Sequence, residues 1–286
     1  MPVPKLPDLS PSQVVDLKDA LLENADRLLT SALAVLERGN TGLARSLAIL
    51  GLEESGKAIA IHDRQVEIAY DDEGAPFVDE RLRKVWGHHS EKLRLVHRFL
   101  VEERYWFDVS APNPDENLAL LGAIEEWASE HNQLKQRGFY VDVSPDGEVL
   151  APSGDAETET VAEVIGRVHQ IGWQLRLGEH IEAKGQAERE RGVQPSTEAE
   201  LEDVRAMFGD ALDEEAMDDI IESMREGTPG TQYNNAGYRL RLPGPGSDPF
   251  ANLGKPGYEA ETREIARLAG PPPETETESG GSEEER

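Results

Sequence analysis

Two predicted helices each bring charged side chains to a face that is otherwise apolar. In the first, Glu54 falls at helical spacing among the aliphatic residues of region 47–61, and Lys57 lies beside it. In the second, His89 falls between two apolar residues, and Lys92 lies one turn further on. A charged group on a core-facing stripe is costly unless it is paired or hydrogen-bonded. We therefore predict an internal polar cluster of Glu54, Lys57, His89 and Lys92.

A purely structural role for the same residues remains open. Glu53 and Lys57 form an i,i+4 pair in the favourable orientation, which by itself supports a helix. A single histidine on an apolar stripe is more often a hydrogen-bonded core residue than a catalyst. A functional role for the cluster and a structural one are thus both compatible with these residues.

Several common catalytic and cofactor motifs are missing. The chain has no cysteine, which excludes disulfides, thiolate metal sites and a cysteine nucleophile. It has no glycine-rich phosphate loop, no His-Glu-x-x-His pair and no Gly-x-Ser-x-Gly elbow. We predict that the protein uses no cofactor and no metal ion.

The elements that must position the charged residues are long helices. Ser10-Pro11-Ser12-Gln13 is a helix-start signature, and the helix that follows should end at Gly39-Asn40. Apolar periodicity then predicts a second helix over residues 41–70 and a third over residues 79–105. A fourth helix should begin at Asn113-Pro114, with Leu118 among its inward residues.

The pattern changes after the fourth helix. Residues 139–150 have the composition of a β-hairpin around a Ser-Pro-Asp-Gly turn. Helical periodicity returns over residues 158–191, and two short acidic helices follow, the first opened by a capping box at Thr197 and the second near residues 213–226. The remainder is rich in Gly, Pro, Glu and Ser, which predicts loop or linker and then a disordered tail.

The chain therefore belongs to the all-α class. We predict a helical bundle over residues 1–191 that includes the hairpin 139–150, then short acidic helices over residues 192–226, and a Gly/Pro-rich linker with a disordered acidic tail over residues 227–286. No segment is apolar enough to span a bilayer and no secretory signal opens the chain, so we expect a cytoplasmic protein without membrane partners.

Charge is unevenly distributed along the chain. The formal net charge is −28; residues 1–143 carry 16 Lys+Arg against 25 Asp+Glu, and residues 144–286 carry 13 against 32. Such a field repels polyanions at long range, so any contact with nucleic acid must use a local basic patch. A solvated acidic surface is the simplest explanation of the overall charge, to which we assign no catalytic role.

Four short segments follow one another along the first half of the chain: Glu23-Asn-Ala-Asp-Arg-Leu-Leu29, Ala44-Arg-Ser-Leu-Ala-Ile-Leu-Gly-Leu-Glu-Glu-Ser-Gly-Lys57, Trp86-Gly-His-His-Ser-Glu-Lys92 and Lys135-Gln-Arg-Gly-Phe-Tyr-Val-Asp142. In this order they resemble the AbiV-type abortive-infection family of phage-defence proteins. The pieces are short, so their order and spacing carry the specificity. The resemblance covers about residues 14–150 and implies a HEPN-like helical bundle.

The HEPN resemblance also implies a mechanism. Active members of that superfamily are metal-independent ribonucleases with an arginine and a histidine separated by four to six intervening residues, usually at a cleft between two protomers. Here Arg83 with His88, Arg83 with His89, and Arg81 with His88 all have that spacing. The histidine would assist attack of an RNA 2′-hydroxyl on the adjacent phosphate, and the arginine would stabilise the charge that develops.

The position of these residues on the helix makes a further prediction. Only Arg81 and His88, seven residues apart, share a face if the helix is regular there. With Lys84 and Lys92 they would form a basic strip on an otherwise acidic protein. In the ribonuclease interpretation Glu54, Lys57 and Lys92 support the histidine.

The resemblance thus implies a phage-defence protein that arrests host translation or RNA metabolism, as a homodimeric ribonuclease. The alternative is a non-catalytic helical module that binds a component of the translation or phage machinery, in which the acidic half recruits a basic partner or mimics nucleic acid. The partners that these two hypotheses imply are a second copy of the chain, an RNA or translation component, and a phage protein or antitoxin. A plain helical scaffold is the third hypothesis.

Overall fold

The computed structural model describes residues 6–106, 111–152, 158–208 and 213–240. This part of the chain is mostly helical and has one small hairpin. The elements in chain order are α1 (Pro11–Leu36), α2 (Thr41–Ile68), α3 (Glu80–Gly87), α4 (His89–Glu102), α5 (Pro114–Leu121), α6 (Ile124–Phe139), β1 (Asp142–Val143), β2 (Val149–Leu150), α7 (Thr158–Arg191), α8 (Glu198–Phe208) and α9 (Glu214–Glu226). The predicted all-α class with a hairpin is confirmed. Most of the predicted linker and tail lies outside the described residues.

α2 is the central helix of the bundle. It packs against α1, α4, α6 and α7, and residues on nearly every side of it are buried. Ile49, Leu52, Ile59 and Ile61 are all fully buried. A helix enclosed in this way has no solvated face, so any charged residue it carries must find partners inside the protein.

The predicted helix over residues 79–105 is wrong as a single element. It is broken at His88, whose backbone is extended (φ −130°, ψ 123°), and α3 and α4 lie on either side of the break. Gly87, a poor helix former, immediately precedes it. Trp86 and Leu93 both pack in the core while lying seven residues apart, so the apolar spacing runs through the break and does not reveal it.

The predicted fourth helix is likewise two helices. α5 ends at Gly122, which adopts a positive φ of 77° that favours glycine, and α6 begins two residues later. Leu118, predicted to face inward, is 45% exposed, whereas Trp127 on α6 is buried. The short α5 therefore contributes little to the core.

Of the elements that follow, the hairpin is shorter than predicted: Phe139, its predicted first residue, is the last residue of α6, and only Asp142–Val143 and Val149–Leu150 form strands. β1 and β2 pair antiparallel, with Val143 opposite Val149, and the turn closes where the Gly147 amide donates to the Ser144 carbonyl at 2.9 Å. The long helix α7 spans the predicted residues. α8 and α9 share a small separate core of Leu201, Met217 and Ile221. No helix among the described residues combines the length and apolarity needed to cross a bilayer.

Residues 233–240, part of the predicted linker, pack back onto the bundle. The Asn235 amide donates to the carbonyls of Ile68, Asp71 and Asp72, where α2 ends. The Tyr238 ring stacks on Phe77, and its hydroxyl donates to the Leu9 carbonyl. We call these residues the returning segment. The returning segment belongs to the bundle rather than to a free linker.

Candidate active site

A buried carboxylate, Glu53, lies at the centre of the candidate site. It is 3% exposed, and each of its oxygens has a partner from another helix. The Lys135 ammonium of α6 donates to one oxygen, and His89 Nδ1 of α4 lies 2.5 Å from the other. Lys92 Nζ lies 4.0 Å from that second oxygen. We call Glu53, His89, Lys92 and Lys135 the Glu53 cluster.

A close helix crossing brings α4 to Glu53. A Cβ atom on Gly56 would lie 2.6 Å from the Lys92 carbonyl oxygen, so only glycine permits this approach of the two backbones. Gly56 follows Glu53 by less than one helical turn. The crossing therefore fixes the first turn of α4, which carries His89, beside the buried carboxylate.

A second close crossing brings Lys135. A Cβ atom on Gly138 would lie 2.0 Å from Ser46 Oγ and 2.1 Å from the Gly42 carbonyl oxygen. Ser46 Oγ also donates to the Lys135 carbonyl at 2.8 Å, which ties the two helices together. Lys135 is 4% exposed, so its ammonium is buried together with the carboxylate it pairs with.

The structure separates Glu54 and Lys57 from the buried centre. Glu54 is only partly buried and pairs with Lys57 Nζ at 2.6 Å. Lys57 also lies 5.4 Å from the centre of the Trp86 ring, a cation–π contact. The buried glutamate is therefore Glu53, not Glu54. The prediction that Glu54 faces the core was wrong because α2 is surrounded by other helices. The spacing of its leucines therefore does not identify one inward face.

Lys92 lies among charges of both signs. Burial lowers the pKa of Lys92, the nearby Glu53 carboxylate opposes that change, and the Lys57 ammonium adds to it. Lys92 and Lys135 are the ammonium groups near the Glu53 carboxylate, whereas Lys57 pairs with Glu54. The His89 side chain, 62% exposed, lies at the edge of the Glu53 cluster.

Arg81 and His88 are not brought together. Arg81 pairs with Glu67 at 2.9 Å and lies 3.6 Å from Asp63, further along α2. His88 is exposed, and its Nδ1 donates to the Lys84 carbonyl at 3.0 Å. The shared helical face predicted for this pair is wrong because the helix breaks at His88.

The predicted basic strip is not formed either. Lys84 Nζ pairs with Glu91 at 3.2 Å, and Lys92 is buried beside Glu53. Arg83 is exposed and makes no ion pair with any residue that the structure describes. Of the candidate arginines, Arg83 alone has its charge uncompensated within the described residues.

Sequence reasoning missed Lys135 as a member of the site. One signal was present: Ala128, His131, Lys135 and Gly138 recur at spacings of three and four, which is the inner face of α6. All four are buried. A lysine on such a stripe requires a buried acid as its partner, which is the requirement that Glu53 meets.

The family comparison covers the helices that build this site. The family model HEPN_AbiV, described as AbiV, matches residues 13–173. The chain belongs to the AbiV family. Comparisons with curated proteins and with solved structures found no match.

The AbiV match includes all four members of the Glu53 cluster. It spans α1 through the first half of α7, so α8, α9 and the returning segment lie beyond it. The chemistry available to this AbiV protein is proton transfer. Because Nδ1 of His89 donates to Glu53, its Nε2 carries the lone pair, on a side chain open to solvent. Within the described residues no group of three or more acidic or histidine side chains is arranged to hold a metal ion.

Proposed function

We propose that this AbiV protein is a phage-defence ribonuclease that cuts RNA without a metal ion, with His89 as its general base. The contact between the buried Glu53 carboxylate and His89 Nδ1 carries the proposal. A carboxylate in that position selects the tautomer with Nε2 free and stabilises the imidazolium that forms on proton uptake. Arrest of host translation or RNA metabolism would follow from the cut RNA.

The proposed reaction needs no outside reagent. Nε2 of His89 removes the proton from an RNA 2′-hydroxyl as its oxygen attacks the adjacent phosphorus. The bond from phosphorus to the 5′-oxygen breaks, and that oxygen takes up a proton. The products are a 2′,3′-cyclic phosphate and a 5′-hydroxyl end.

Lysines replace the arginine of the superfamily's arrangement in this proposal. Negative charge grows on the phosphate oxygens during attack, and cations in a partly desolvated site stabilise it best. Lys92, with a side chain 10% exposed and its Nζ 4.0 Å from the Glu53 oxygen that His89 contacts, is the cation beside His89, and Lys57 is the second cation of the proposal. Arg83, exposed on α3, is available to a longer RNA. We assign no catalytic role to Arg81 or His88.

The predicted partners and compartment enter the proposal unchanged. A second copy of the chain would shield His89 from water, as the dimer cleft of HEPN ribonucleases implies. RNA or a translation component is the proposed target, a phage protein or antitoxin the proposed regulator, and the cytoplasm the proposed compartment.

Neighbouring histidines provide a matched test. Wild type, His89→Gln and His88→Gln would be induced in cells, with growth and total RNA integrity followed over time. The proposal expects growth arrest and RNA fragmentation by wild type and His88→Gln, and neither by His89→Gln. RNA fragmentation that persists in His89→Gln, or intact RNA during arrest by wild type, would overturn it. Purified protein should cut RNA in EDTA and leave 2′,3′-cyclic phosphate ends.

The competing function, a non-catalytic binding module, is favoured by the exposed hairpin. Tyr140, Val141, Val143 and Val149 are each at least 60% exposed, and exposed apolar groups of this kind often mark a protein contact. In that case arrest would occur with intact RNA, would survive in His89→Gln and would be lost in Tyr140→Asp.

A further inference from the structure

A second polar site lies between α2, α3 and α4, apart from the Glu53 cluster. It is a cavity of about 230 Å³ with three arginines and three acids in its wall: Arg81, Arg98, Arg104, Asp63, Glu67 and Glu102. Asp63 follows Glu53 by ten residues on α2, which corresponds to about 15 Å along the helix. We call it the arginine cavity.

The acids hold two of the arginines in place. Asp63, 8% exposed, accepts from Arg104 Nη2 at 2.7 Å and lies 3.6 Å from Arg81 Nη2. Glu67 accepts from Arg81 Nη1 at 2.9 Å, and Glu102 lies 3.3 Å from Arg104 Nε. Each guanidinium carries five N–H groups, so both arginines keep donors that these acids do not use.

The third arginine has no acidic partner. Arg98 is exposed on α4 and makes no hydrogen bond or ion pair with any residue in the described ranges. Its five N–H donors are therefore free for a ligand. The three acids balance the charge of the three arginines, so the wall is neutral in sum on a chain with net charge −28, and Arg98 supplies the free cationic group that an anion can contact.

The exposed wall of the cavity is mainly polar. Of its four apolar residues, Ile59, Leu95 and Phe99 are at most 4% exposed and offer a ligand almost no surface. A simple inorganic anion would face the three acids without a hydrogen bond to them, whereas the hydroxyls of a sugar joined to the anion would donate to those carboxylates. Guanidinium groups pair with phosphate oxygens in a two-point geometry, and the acids can accept from sugar hydroxyls or base N–H groups.

We propose that the arginine cavity binds a phosphate group with its attached nucleoside. The phosphate lies against Arg98 and the free donors of Arg104, and the sugar hydroxyls of the nucleoside donate to the acids of the wall. The ligand is either a free nucleotide or one nucleotide of an RNA strand. The proposal goes beyond RNA cleavage and does not depend on it, because binding is measured without turnover.

Calorimetric titration of the full chain tests this binding. The probes are adenosine and guanosine monophosphate, inorganic phosphate, and a six-residue single-stranded RNA without terminal phosphates; the RNA is titrated only into chains carrying His89→Gln, which cannot cut it under the proposed function. Arg98→Gln should weaken the best probe at least about tenfold, since a charge-assisted contact is lost. Arg38→Gln, at an exposed arginine outside the cavity, should change binding less than twofold.

The outcomes separate the ligand sources and the two proposals. Tighter binding of a monophosphate supports a free nucleotide, and tighter binding of the RNA supports a strand. Equal weakening by Arg98→Gln and Arg38→Gln, binding of inorganic phosphate as tight as any nucleotide, or binding of none of the probes would overturn the proposal. RNA cleavage is measured separately with the wild type and Arg98→Gln, so loss of cleavage and loss of this site are distinguishable.

Discussion

Acid should destabilise this protein in part through a buried histidine, His62. Its Nε2 lies 2.7 Å from the Tyr105 hydroxyl, which in turn donates to Glu182. Nε2 is therefore the donor, and Nδ1 keeps a buried lone pair with no partner among the described residues. Protonation of Nδ1 would place a positive charge and an N–H donor in the interior without a hydrogen-bond acceptor. Burial, and then the charges of Lys18 and Arg104, lower the pKa of His62 to about 3.

The sign and size of the effect follow from that pKa. The unfolded chain binds a proton at His62 near pH 6.5, whereas the folded chain does so only near pH 3. Between those values the unfolded state holds more protons, so stability falls as the pH is lowered. Lowering the pH from 7 to 5 should therefore reduce the free energy of unfolding by about 2 kcal/mol, which is the equivalent of a pKa shift of about 1.4 units.

Urea unfolding followed by circular dichroism measures this loss. Wild type and His62→Gln are each unfolded at pH 7 and at pH 5, and the change in the free energy of unfolding is taken within each protein. That difference cancels any constant cost of the substitution. Wild type should lose about 2 kcal/mol more than His62→Gln. Equal losses in the two proteins would refute the assignment of a neutral, buried His62.

Three substitutions test how the helices are held. Gly56→Ala should lower the free energy of unfolding by about 1–3 kcal/mol, because the added methyl group must push α2 and α4 apart, and it should reduce cleavage by moving His89 away from Glu53. Unchanged stability in urea unfolding would contradict the close crossing of these two helices. Lys135→Met removes the ammonium group closest to the Glu53 carboxylate and should lower the free energy of unfolding by roughly 3–5 kcal/mol. An unchanged free energy would mean that this ion pair contributes little to stability. Asn235→Ala should lower the free energy of unfolding by about 1–3 kcal/mol by freeing carbonyls at the end of α2, and no change in thermal melting would show the returning segment to be dispensable.

Helix starts and the long periodic helices could be predicted from local sequence. The Ser10 capping box forms as expected, with Gln13 Oε1 accepting from the Ser10 amide at 2.9 Å, and the Thr197 box forms with Glu200. These signals involve residues within one turn of each other, so their geometry does not depend on the rest of the fold. The hairpin turn was predictable for the same reason.

The position of the buried acid could not be predicted in this way. Glu53 and Glu54 are neighbours on α2, and which of them is buried depends on where α4 and α6 cross it. Those crossings are set by close backbone contacts at Gly56 and Gly138, which lie far apart in sequence from the residues that they touch. Periodicity measures only how one helix divides between core and solvent, and α2 has almost no solvent face.

The helix breaks and the returning segment escaped prediction for different reasons. At His88 the apolar spacing continues through a change of direction, so the pattern predicts one helix where there are two. Residues 233–240 are short and rich in polar groups, and their backbone is ordered by Asn235 and Tyr238 through contacts with residues more than 150 positions earlier. Such contacts leave no local signal in the sequence.

The contact of Tyr238 with Leu9 joins residues 229 positions apart, and this has a consequence for folding during synthesis. At 5–20 residues per second, roughly 10–45 seconds separate the appearance of the two partners on the ribosome. During that interval α1 and α2 can pair, but Phe77 lacks its stacking partner and the carbonyls at the end of α2 lack the Asn235 amide. The bundle is therefore completed only after its last described residues are made. Until then, the end of α2 should exchange its amide hydrogens faster than in the finished protein.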